Sequence, residues 1–266
     1  MNRMVAPAKL TLSLAVTGVR PDGYHELRAE MVSLSLSDVL TFTEGGSGLS
    51  YEAEPGTRAE AIGDDRDNLI TRALAAVGRQ AAVRVVKRIP VGGGLGGGST
   101  DAAAVLRWAR CSDPGVALGL GSDVPFSVIG GRALVEGTGE RVTPLEFEPR
   151  RFLLLIPPFG VNTARVYGAW DELDRARVPH EGANALTAAA LTVEPRLLRW
   201  RDVLQEFTGR PAVLAGSGST WFVEGSLPEG GAGEPLRAGE PLWLADHDER
   251  ARLVAVHTVP AGWEGE

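Results

Sequence analysis

Residues 90–105 read Pro-Val-Gly-Gly-Gly-Leu-Gly-Gly-Gly-Ser-Thr-Asp-Ala-Ala-Ala-Val, and no other stretch of the chain is as informative. A β-branched run at 83–89 precedes six glycines at 92–98, and an alanine-rich segment that predicts a helix follows from Ser99 or Thr100. Glycine lets backbone N–H groups come close to a ligand and adopts positive φ. The first N–H groups of a helix also lack intrahelical partners. This order predicts a phosphate-binding site, and a flexible linker is the alternative.

The composition is typical of a soluble globular protein, with 266 residues, 44% hydrophobic and 23% charged. This length suits one large domain or two of ordinary size. The single cysteine allows no internal disulfide and fits a reducing compartment, and no signal segment or long apolar run is found. We therefore expect a cytoplasmic protein that crosses no membrane. The net charge of −7 also argues against nucleic-acid binding.

Lysine is rare in this chain, because only Lys9 and Lys87 occur among 27 basic residues. A compact ammonium cannot be replaced by a planar guanidinium where a point charge must fit. Lys87 lies on the strand before the glycine loop, and Lys9 lies at the start of another predicted strand. In that strand leucines alternate with polar residues, so Lys9, Thr11 and Ser13 are predicted to share one face.

The rest of the N-terminal half predicts strands covered by helices. A second strand is predicted at 32–37, after the Pro21-Asp22-Gly23 turn. Asp67 can cap a helix through 68–77, and a hairpin is predicted at 132–142.

A buried run at 152–156 predicts the start of a second unit. Helical patterns follow at 164–177 and 195–207, and a strand at 212–215 leads into Gly216-Ser217-Gly218-Ser219. The segment 225–241 predicts a loop. An α+β protein of two lobes is the expected architecture.

Common nucleotide-binding motifs do not account for the glycine loop. Gly92-x-Gly94-x-x-Gly97 satisfies the dinucleotide pattern, but the following segment lacks the rest of the required βαβ unit. The P-loop pattern fails because no lysine precedes Ser99, and the His-Arg-Asp loop of protein kinases is absent from the sequence. The glycine loop therefore indicates a nucleotide-binding site of a third type, different from both the dinucleotide-binding motif and the P-loop.

Five segments, in this order, carry a resemblance to a known family: Ala-Pro-Ala-Lys-Leu (6–10), Arg-Pro-Asp-Gly-Tyr-His-Glu-Leu (20–27), the glycine loop (90–103), Leu-Gly-Ser-Asp-Val-Pro-Phe (120–126) and Ala-Gly-Ser-Gly-Ser-Thr (215–220). The chain resembles the small-molecule kinases of the galactokinase–homoserine kinase–mevalonate kinase superfamily. Its second segment resembles those that act on 4-diphosphocytidyl-2-C-methyl-D-erythritol. The resemblance runs from about residue 5 to about residue 224.

The resemblance implies an α+β kinase with a ribosomal-protein-S5-like, ATP-binding lobe at 1–148 and a ferredoxin-like lobe at 149–266. It implies ATP-dependent phosphorylation of the 2-hydroxyl of a cytidine-diphosphate-linked alcohol, with Mg²⁺ on the phosphates, by a monomer or weak homodimer. A sister kinase acting on homoserine, mevalonate or a sugar should lack the 20–27 segment. A non-catalytic nucleotide-binding protein should have lost Lys9 or Asp123.

The resemblance also implies roles for individual residues. Asp123 is the catalytic base and Lys9 stabilises charge beside it; from the sequence alone Asp123 would be read as a helix cap. The residues implied to bind ATP, with Asn68 and Lys87 near the adenosine, are Asn68, Lys87, Pro90, Val91, Gly92, Gly93, Gly94, Leu95, Gly96, Gly97, Gly98, Ser99 and Thr100. The residues implied to bind the substrate are Thr11, Tyr24, His25, Thr163, Tyr167, Gly216, Ser217 and Gly218.

In the implied substrate site, Tyr24 and Tyr167 stack on the cytosine and His25 reads its edge. Two residues depart from the family pattern, since Thr11 stands where Asn is usual and Ser219 where Pro is usual. The segment 110–120 is also shorter than usual. No spacing in the sequence identifies metal ligands.

Overall fold

A computed structural model describes residues 2–62, 67–173, 183–228 and 242–265. Its strands are β1 (Asn2–Val19), β2 (His25–Glu44), β3 (Leu49–Ala53), β4 (Ala81–Lys87), β5 (Arg132–Gly137), β6 (Arg141–Pro144), β7 (Arg151–Ile156), β8 (Val213–Leu214), β9 (Trp221–Glu224), β10 (Leu242–Asp246) and β11 (Glu249–His257). Its helices are α1 (Leu69–Ala76), α2 (Gly97–Trp108), α3 (Pro114–Leu120), α4 (Val124–Ile129), α5 (Thr163–Glu172), α6 (Thr187–Val193) and α7 (Arg196–Thr208). A 3₁₀ turn lies at Ala59–Ala61. Among the described helices, none has the length and apolar character that a bilayer crossing requires.

The first sheet is built on the long antiparallel hairpin of β1 and β2. The other edge of β2 is divided, because residues 27–32 pair with β5 and residues 39–44 pair with β4. β3 adds parallel to β4, and β6 adds antiparallel to β5. The strand predicted at 32–37 is the middle part of β2, between the stretches that pair with β5 and β4, and it is largely buried.

The second sheet has the strand order β10-β11-β7-β9-β8 and is antiparallel throughout. On one face of β7, Leu153 and Leu155 share a core with Trp200 of α7. On the other face, Phe152 and Leu154 share a core with residues of the first sheet. Burial on both faces explains the continuous apolar run at 152–156, and the predicted two-lobed α+β architecture is confirmed.

The apolar core between the two sheets also holds the glycine loop. Leu95, in the middle of the loop, is fully buried and belongs to the same core as Leu10 and Leu34 of the first sheet and Phe222 of the second. Burial of one leucine side chain contributes about 1.5–3 kcal/mol. The loop is therefore fixed at the junction of the two sheets by its single large side chain.

Several helix boundaries differ from those expected from the sequence. α2 begins at Gly97 rather than at Ser99 or Thr100, because Gly96 occupies its N-cap position with φ +72°. Asn68 rather than Asp67 caps α1, since its side chain accepts a hydrogen bond from the Ile70 N–H at 2.9 Å. The helix predicted at 164–177 ends at Glu172 within the described residues, and positions 174–177 lie outside them.

The remaining predictions for strands and loops have mixed outcomes. The predicted hairpin at 132–142 is confirmed by the pairing of β5 with β6. Lys9 lies in the middle of β1 rather than at the start of a strand. In the predicted loop 225–241, residues 229–241 lie outside the described part of the chain.

Candidate active site

A cleft of about 460 Å³ brings together most of the residues that the sequence singled out. Predicted residues that line it are Lys9, Thr11, Asn68, Lys87, Pro90, Val91, Gly92, Gly93, Gly94, Gly96, Gly97, Gly98, Ser99, Asp123, Thr163, Tyr167, Gly216 and Ser217. Polar groups from both sheets therefore converge on one cavity, and its size suits a small-molecule ligand.

The glycine loop crosses this cleft in a conformation that needs glycine. Gly92, Gly94 and Gly96 have φ of +67°, +79° and +72°, a region that other residues adopt at a cost. A Cβ on Gly96 would lie 2.7 Å from Cγ of Lys9, so this glycine also makes room for the lysine. The loop ends at the N-terminus of α2, where unpaired N–H groups and the helix dipole favour a phosphate.

Carbonyl groups of the loop accept hydrogen bonds from surrounding parts of the protein. The Arg58 guanidinium donates to the Val91 carbonyl oxygen, the Val161 N–H donates to Gly92 at 3.3 Å, and the Thr220 N–H donates to Gly93 at 3.2 Å. The Lys9 N–H donates to Leu95 at 3.0 Å. These bonds hold the loop in place next to the helix N-terminus, the part of the site that favours an anion.

Lys9 and Asp123 form an ion pair in the cleft, with Nζ 3.2 Å from Oδ2. The Lys9 side chain is almost fully buried, whereas that of Asp123 is 28% exposed. Asp123 occupies the N-cap position of α4, but its side chain makes no capping hydrogen bond. Its carboxylate is therefore directed to Lys9 and not to the helix, which removes the capping interpretation.

Irregular strand pairing brings Lys9 and Thr11 to the cleft. The register of β1 against β2 shifts between Pro7 and Lys9 and again between Thr11 and Ser13. Lys9 Nζ donates to Thr11 Oγ1 at 3.3 Å, and both residues are buried. Ser13 is exposed instead, so the expectation that all three share one face is wrong beyond the second bulge.

Asn68 and Lys87 line the cleft, and both side chains form hydrogen bonds within the protein. The Asn68 amide donates to the Tyr51 hydroxyl at 2.7 Å while its oxygen caps α1. Lys87 Nζ lies between two buried carboxylates, 2.5 Å from Asp38 and 2.8 Å from Asp101.

The Asp38–Lys87–Asp101 triad holds both ends of the glycine loop. Asp38 Oδ1 accepts hydrogen bonds from the N–H groups of Arg88 at 2.6 Å and Ile89 at 2.9 Å, just before the loop, and Asp101 lies in α2 just after it. Burial raises the pKa of Asp101 to about 8, against the opposing effect of the Lys87 ammonium. Burial alone would lower the pKa of Lys87, but the two carboxylates raise it above its usual range.

A second glycine loop, at residues 216–218, lies directly against the first. A Cβ on Gly94 would lie 2.2 Å from the carbonyl oxygen of Ala215 and 2.8 Å from Cα of Gly218. The Ser217 and Thr163 hydroxyl groups are 2.9 Å apart at the cleft. The two loops can approach this closely only because both contact points are glycines.

Three residues are predicted to bind cytosine, and the cleft lining includes one of them. Tyr167 lines the cleft, and its ring centroid is 4.7 Å from that of His25. Burial, with the charge of Asp123 nearby, raises the pKa of Tyr167. Tyr24 is 65% exposed and lies outside the cavity lining.

Comparisons with known proteins agree with this geometry. Residues 68–131 match the family model described as "GHMP kinases N terminal domain". The 4-diphosphocytidyl-2-C-methyl-D-erythritol kinase of Paracoccus denitrificans is 36% identical, with 91% of this chain and 94% of that protein covered. The protein of the same name in Thermus thermophilus is 35% identical, covering 91% of this chain and 95% of its own length. The chain belongs to the 4-diphosphocytidyl-2-C-methyl-D-erythritol kinase family.

Solved structures place this kinase family within a wider fold. A crystal structure of 4-(cytidine 5'-diphospho)-2C-methyl-D-erythritol kinase is 34% identical and has a TM-score of 0.64, covering 86% of this chain and 91% of that chain. A crystal structure of mevalonate kinase is 12% identical, with a TM-score of 0.54 over 85% of this chain and 92% of that chain. The second likeness shows the fold alone.

Not every residue that the family resemblance singled out reaches the cleft. Leu95 packs into the core, and the Thr100 hydroxyl donates to the Pro7 carbonyl oxygen at 2.7 Å. Gly218 contacts Gly94 rather than the cavity, and the lining includes Tyr167 but not the neighbouring His25. These residues contact parts of the site without lining the cavity.

Sequence reasoning missed Asn184, which lies behind the second glycine loop of this kinase. Its buried side-chain amide donates to the carbonyl oxygens of Leu214 at 2.8 Å and Gly216 at 2.6 Å, and its oxygen accepts from the Leu186 N–H at 2.9 Å. Nothing in the local pattern around Asn184 indicated this role, because the two carbonyl oxygens that its amide binds lie 30 and 32 residues further along the chain.

Proposed function

We propose that this protein transfers the γ-phosphoryl group of ATP to the 2-hydroxyl group of 4-diphosphocytidyl-2-C-methyl-D-erythritol, a step toward isoprenoid precursors. One observation carries the proposal: the Lys9–Asp123 ion pair lies in the same cleft as the glycine loop, in a chain of this kinase family. Phosphoryl transfer requires mainly positioning and charge neutralisation, and the cleft provides groups for both.

Asp123 is proposed as the base. Its carboxylate makes no capping bond and is partly exposed to the cleft, so it can accept the proton of the 2-hydroxyl group. The substrate oxygen then bonds to the γ-phosphorus as the bond from that phosphorus to the bridging oxygen breaks, and ADP leaves. General bases of this kind typically contribute about 10²–10⁴ to the rate.

Lys9 is proposed to stabilise the negative charge on the transferred phosphoryl group. Its ammonium is almost fully buried, and its only bonds to described residues are those to Asp123 and Thr11. A buried cation acts more strongly than an exposed one, because water screens it less. The Thr11 hydroxyl accepts a hydrogen bond from the same ammonium and helps to hold it beside the carboxylate.

The glycine loop is proposed to bind the phosphates of ATP, with the adenosine at the end of the cleft near Asn68 and Lys87. Mg²⁺ would be held mostly by the phosphates, with the Ser99 hydroxyl, which lines the cleft beside the glycine loop, as a protein ligand. This fits the described residues, which bring together no cluster of three or more His, Cys, Asp or Glu side chains. When bound, the ion would neutralise phosphate charge.

The proposal also includes a lobe boundary near residue 148 and a protein that is a monomer or weak homodimer in solution. The first sheet uses strands from Asn2 to Pro144 and the second uses strands from Arg151 to His257, which supports that boundary. Analytical ultracentrifugation at increasing protein concentration would measure the association.

Product analysis tests the proposed reaction. Purified protein with ATP and Mg²⁺ should release ADP when the cytidyl substrate is added, and mass spectrometry should find one phosphoryl group on its 2-oxygen. Homoserine, mevalonate and free methylerythritol serve as alternative acceptors, and Asp123→Asn is the control for contaminating kinases. Faster turnover of homoserine or mevalonate would contradict the proposal.

A further inference from the structure

The guanidinium of Arg107, in the last turn of α2, joins three elements of the fold. Its Nη1 donates to the Ser127 carbonyl oxygen of α4 at 2.6 Å, and its Nη2 donates to the Val5 carbonyl oxygen of β1 at 2.7 Å. α2 begins at the glycine loop, α4 begins directly after Asp123, and β1 contains Lys9. One side chain therefore connects the elements that carry the three parts of the candidate active site.

The partners of this guanidinium are backbone groups. Arg107 is partly buried, and burial lowers its pKa to about 10, with no described carboxylate to oppose the effect. A cation taken from water without an ion pair carries an uncompensated desolvation penalty. The Ser127 carbonyl group is among the last four of α4, which lack partners within the helix and favour a cation. The interactions of Arg107 thus join backbone segments rather than neutralise a charge.

Ser127 connects Arg107 with Asp123. Its N–H donates to the Asp123 carbonyl oxygen at 3.1 Å, and its hydroxyl donates to the same oxygen at 2.8 Å. Val124 and Phe126 hold the rest of α4 by packing into two different apolar cores. Apolar contacts have no preferred direction, whereas the two hydrogen bonds of the guanidinium set the place of α4 relative to β1. A shift of about 1 Å at a reacting group can lower a rate about 10²-fold.

We propose that Arg107 is a positioning residue that keeps the Asp123 carboxylate beside the Lys9 ammonium by holding α4 against α2 and β1. This inference rests on the proposed function, since it assumes that these two side chains act in phosphoryl transfer. The quantity under control is the 3.2 Å distance from Lys9 Nζ to Asp123 Oδ2. The cleft lining does not include Arg107, so the affinities for nucleotide and acceptor should not depend on it.

Kinetics of Arg107→Met test the inference, because methionine keeps an apolar stem of similar length and removes every donor. The variant should lower kcat about 10- to 100-fold, with KM for ATP and for the cytidyl substrate within about twofold of wild type. Arg210→Met is the matched control. Arg210 is also partly buried and donates to two carbonyl oxygens, those of Glu224 at 3.3 Å and Ser226 at 2.8 Å. Its loss should leave all constants unchanged, and an unchanged kcat in Arg107→Met would overturn the inference.

A double-mutant cycle separates positioning from a merely structural role. In an Asp123→Asn background, Arg107→Met should lower kcat by no more than about threefold, because the carboxylate through which it acts is already gone. A loss of folded enzyme would lower kcat by the same factor in both backgrounds, and this result would refute positioning. If Arg107→Met does not fold, Arg107→Lys enters the same cycle, since its ammonium keeps the charge but lacks the fork that reaches both carbonyl groups.

NMR of the lysine side chains gives a measurement that does not depend on activity. The chain has only two lysines, so ¹⁵N-lysine labelling yields two ammonium signals, and the one lost in Lys9→Arg belongs to Lys9. This signal should shift in Arg107→Met and in Asp123→Asn but not in Arg210→Met. An unmoved signal in Arg107→Met would overturn the inference. If the wild-type protein fails to phosphorylate the cytidyl substrate, the proposed function fails, and the NMR result still decides whether Arg107 positions the ion pair.

Discussion

Alanine at Gly94 should destabilise the folded protein by about 2–5 kcal/mol, because this glycine is the point where the two glycine loops touch. Its φ of +79° costs an L-residue roughly 1–2 kcal/mol. The added Cβ would lie 2.2 Å from the Ala215 carbonyl oxygen and 2.8 Å from Cα of Gly218. Both neighbours are backbone atoms that cannot rotate away, and such overpacking typically costs about 1–3 kcal/mol.

Urea unfolding of two further variants would separate the two contributions. Gly218→Ala tests the steric part, because its Cβ would lie 2.1 Å from Cα of Gly94 although its own φ is outside the left-handed region. Gly98→Ala is the matched control: it lies in α2, and its Cβ would have one neighbour within 4 Å, Cδ1 of Leu69 at 3.4 Å. We expect this control to be neutral or stabilising by up to about 1 kcal/mol. A Gly94→Ala variant within about 0.5 kcal/mol of wild type would refute the reasoning.

Three further predictions concern the cleft. Asp123→Asn should lower kcat by roughly 10²-fold or more with little change in nucleotide affinity. Lys9→Arg should also have low activity, because a planar guanidinium does not fit an ammonium site. An Asp123→Asn enzyme with near-normal kcat would contradict the base assignment. Tyr167→Ala should raise KM for the cytidyl substrate roughly 5- to 150-fold while KM for ATP stays constant, since stacking on a base is worth about 1–3 kcal/mol. Equal effects on both KM values would contradict separate binding regions for the cytosine and the adenosine. Asp101→Asn should become more stable relative to wild type as pH rises from about 5 to about 8. In that window the folded wild type holds a proton, with a pKa of about 8, that the unfolded chain has already released, so this contribution to the free energy of unfolding is lost with rising pH. Urea unfolding of both proteins across this range measures the difference, and a constant difference would count against the buried proton.

Much of the site could be predicted from the sequence, because its decisive features are local. Consecutive glycines next to a β-branched run specify a loop with positive φ before a helix, whatever surrounds it. The segments around Lys9, Asp123 and 216–218, by their order along the chain, indicated the two-lobed kinase architecture. Alternation and apolar runs likewise predicted the strand at 152–156 and the hairpin at 132–142, since side-chain period follows from backbone geometry.

Only the tertiary structure decided what each side chain does, because its partners are distant in the chain. Lys87, which is expected near the adenosine, is held by Asp38, 49 residues away. Leu95 belongs to the loop but packs into the core that joins the two sheets. His25 meets Asp171 across 146 residues. Burial and pairing of this kind arise only when separate elements pack together, whereas the freedom to adopt positive φ belongs to the glycines themselves.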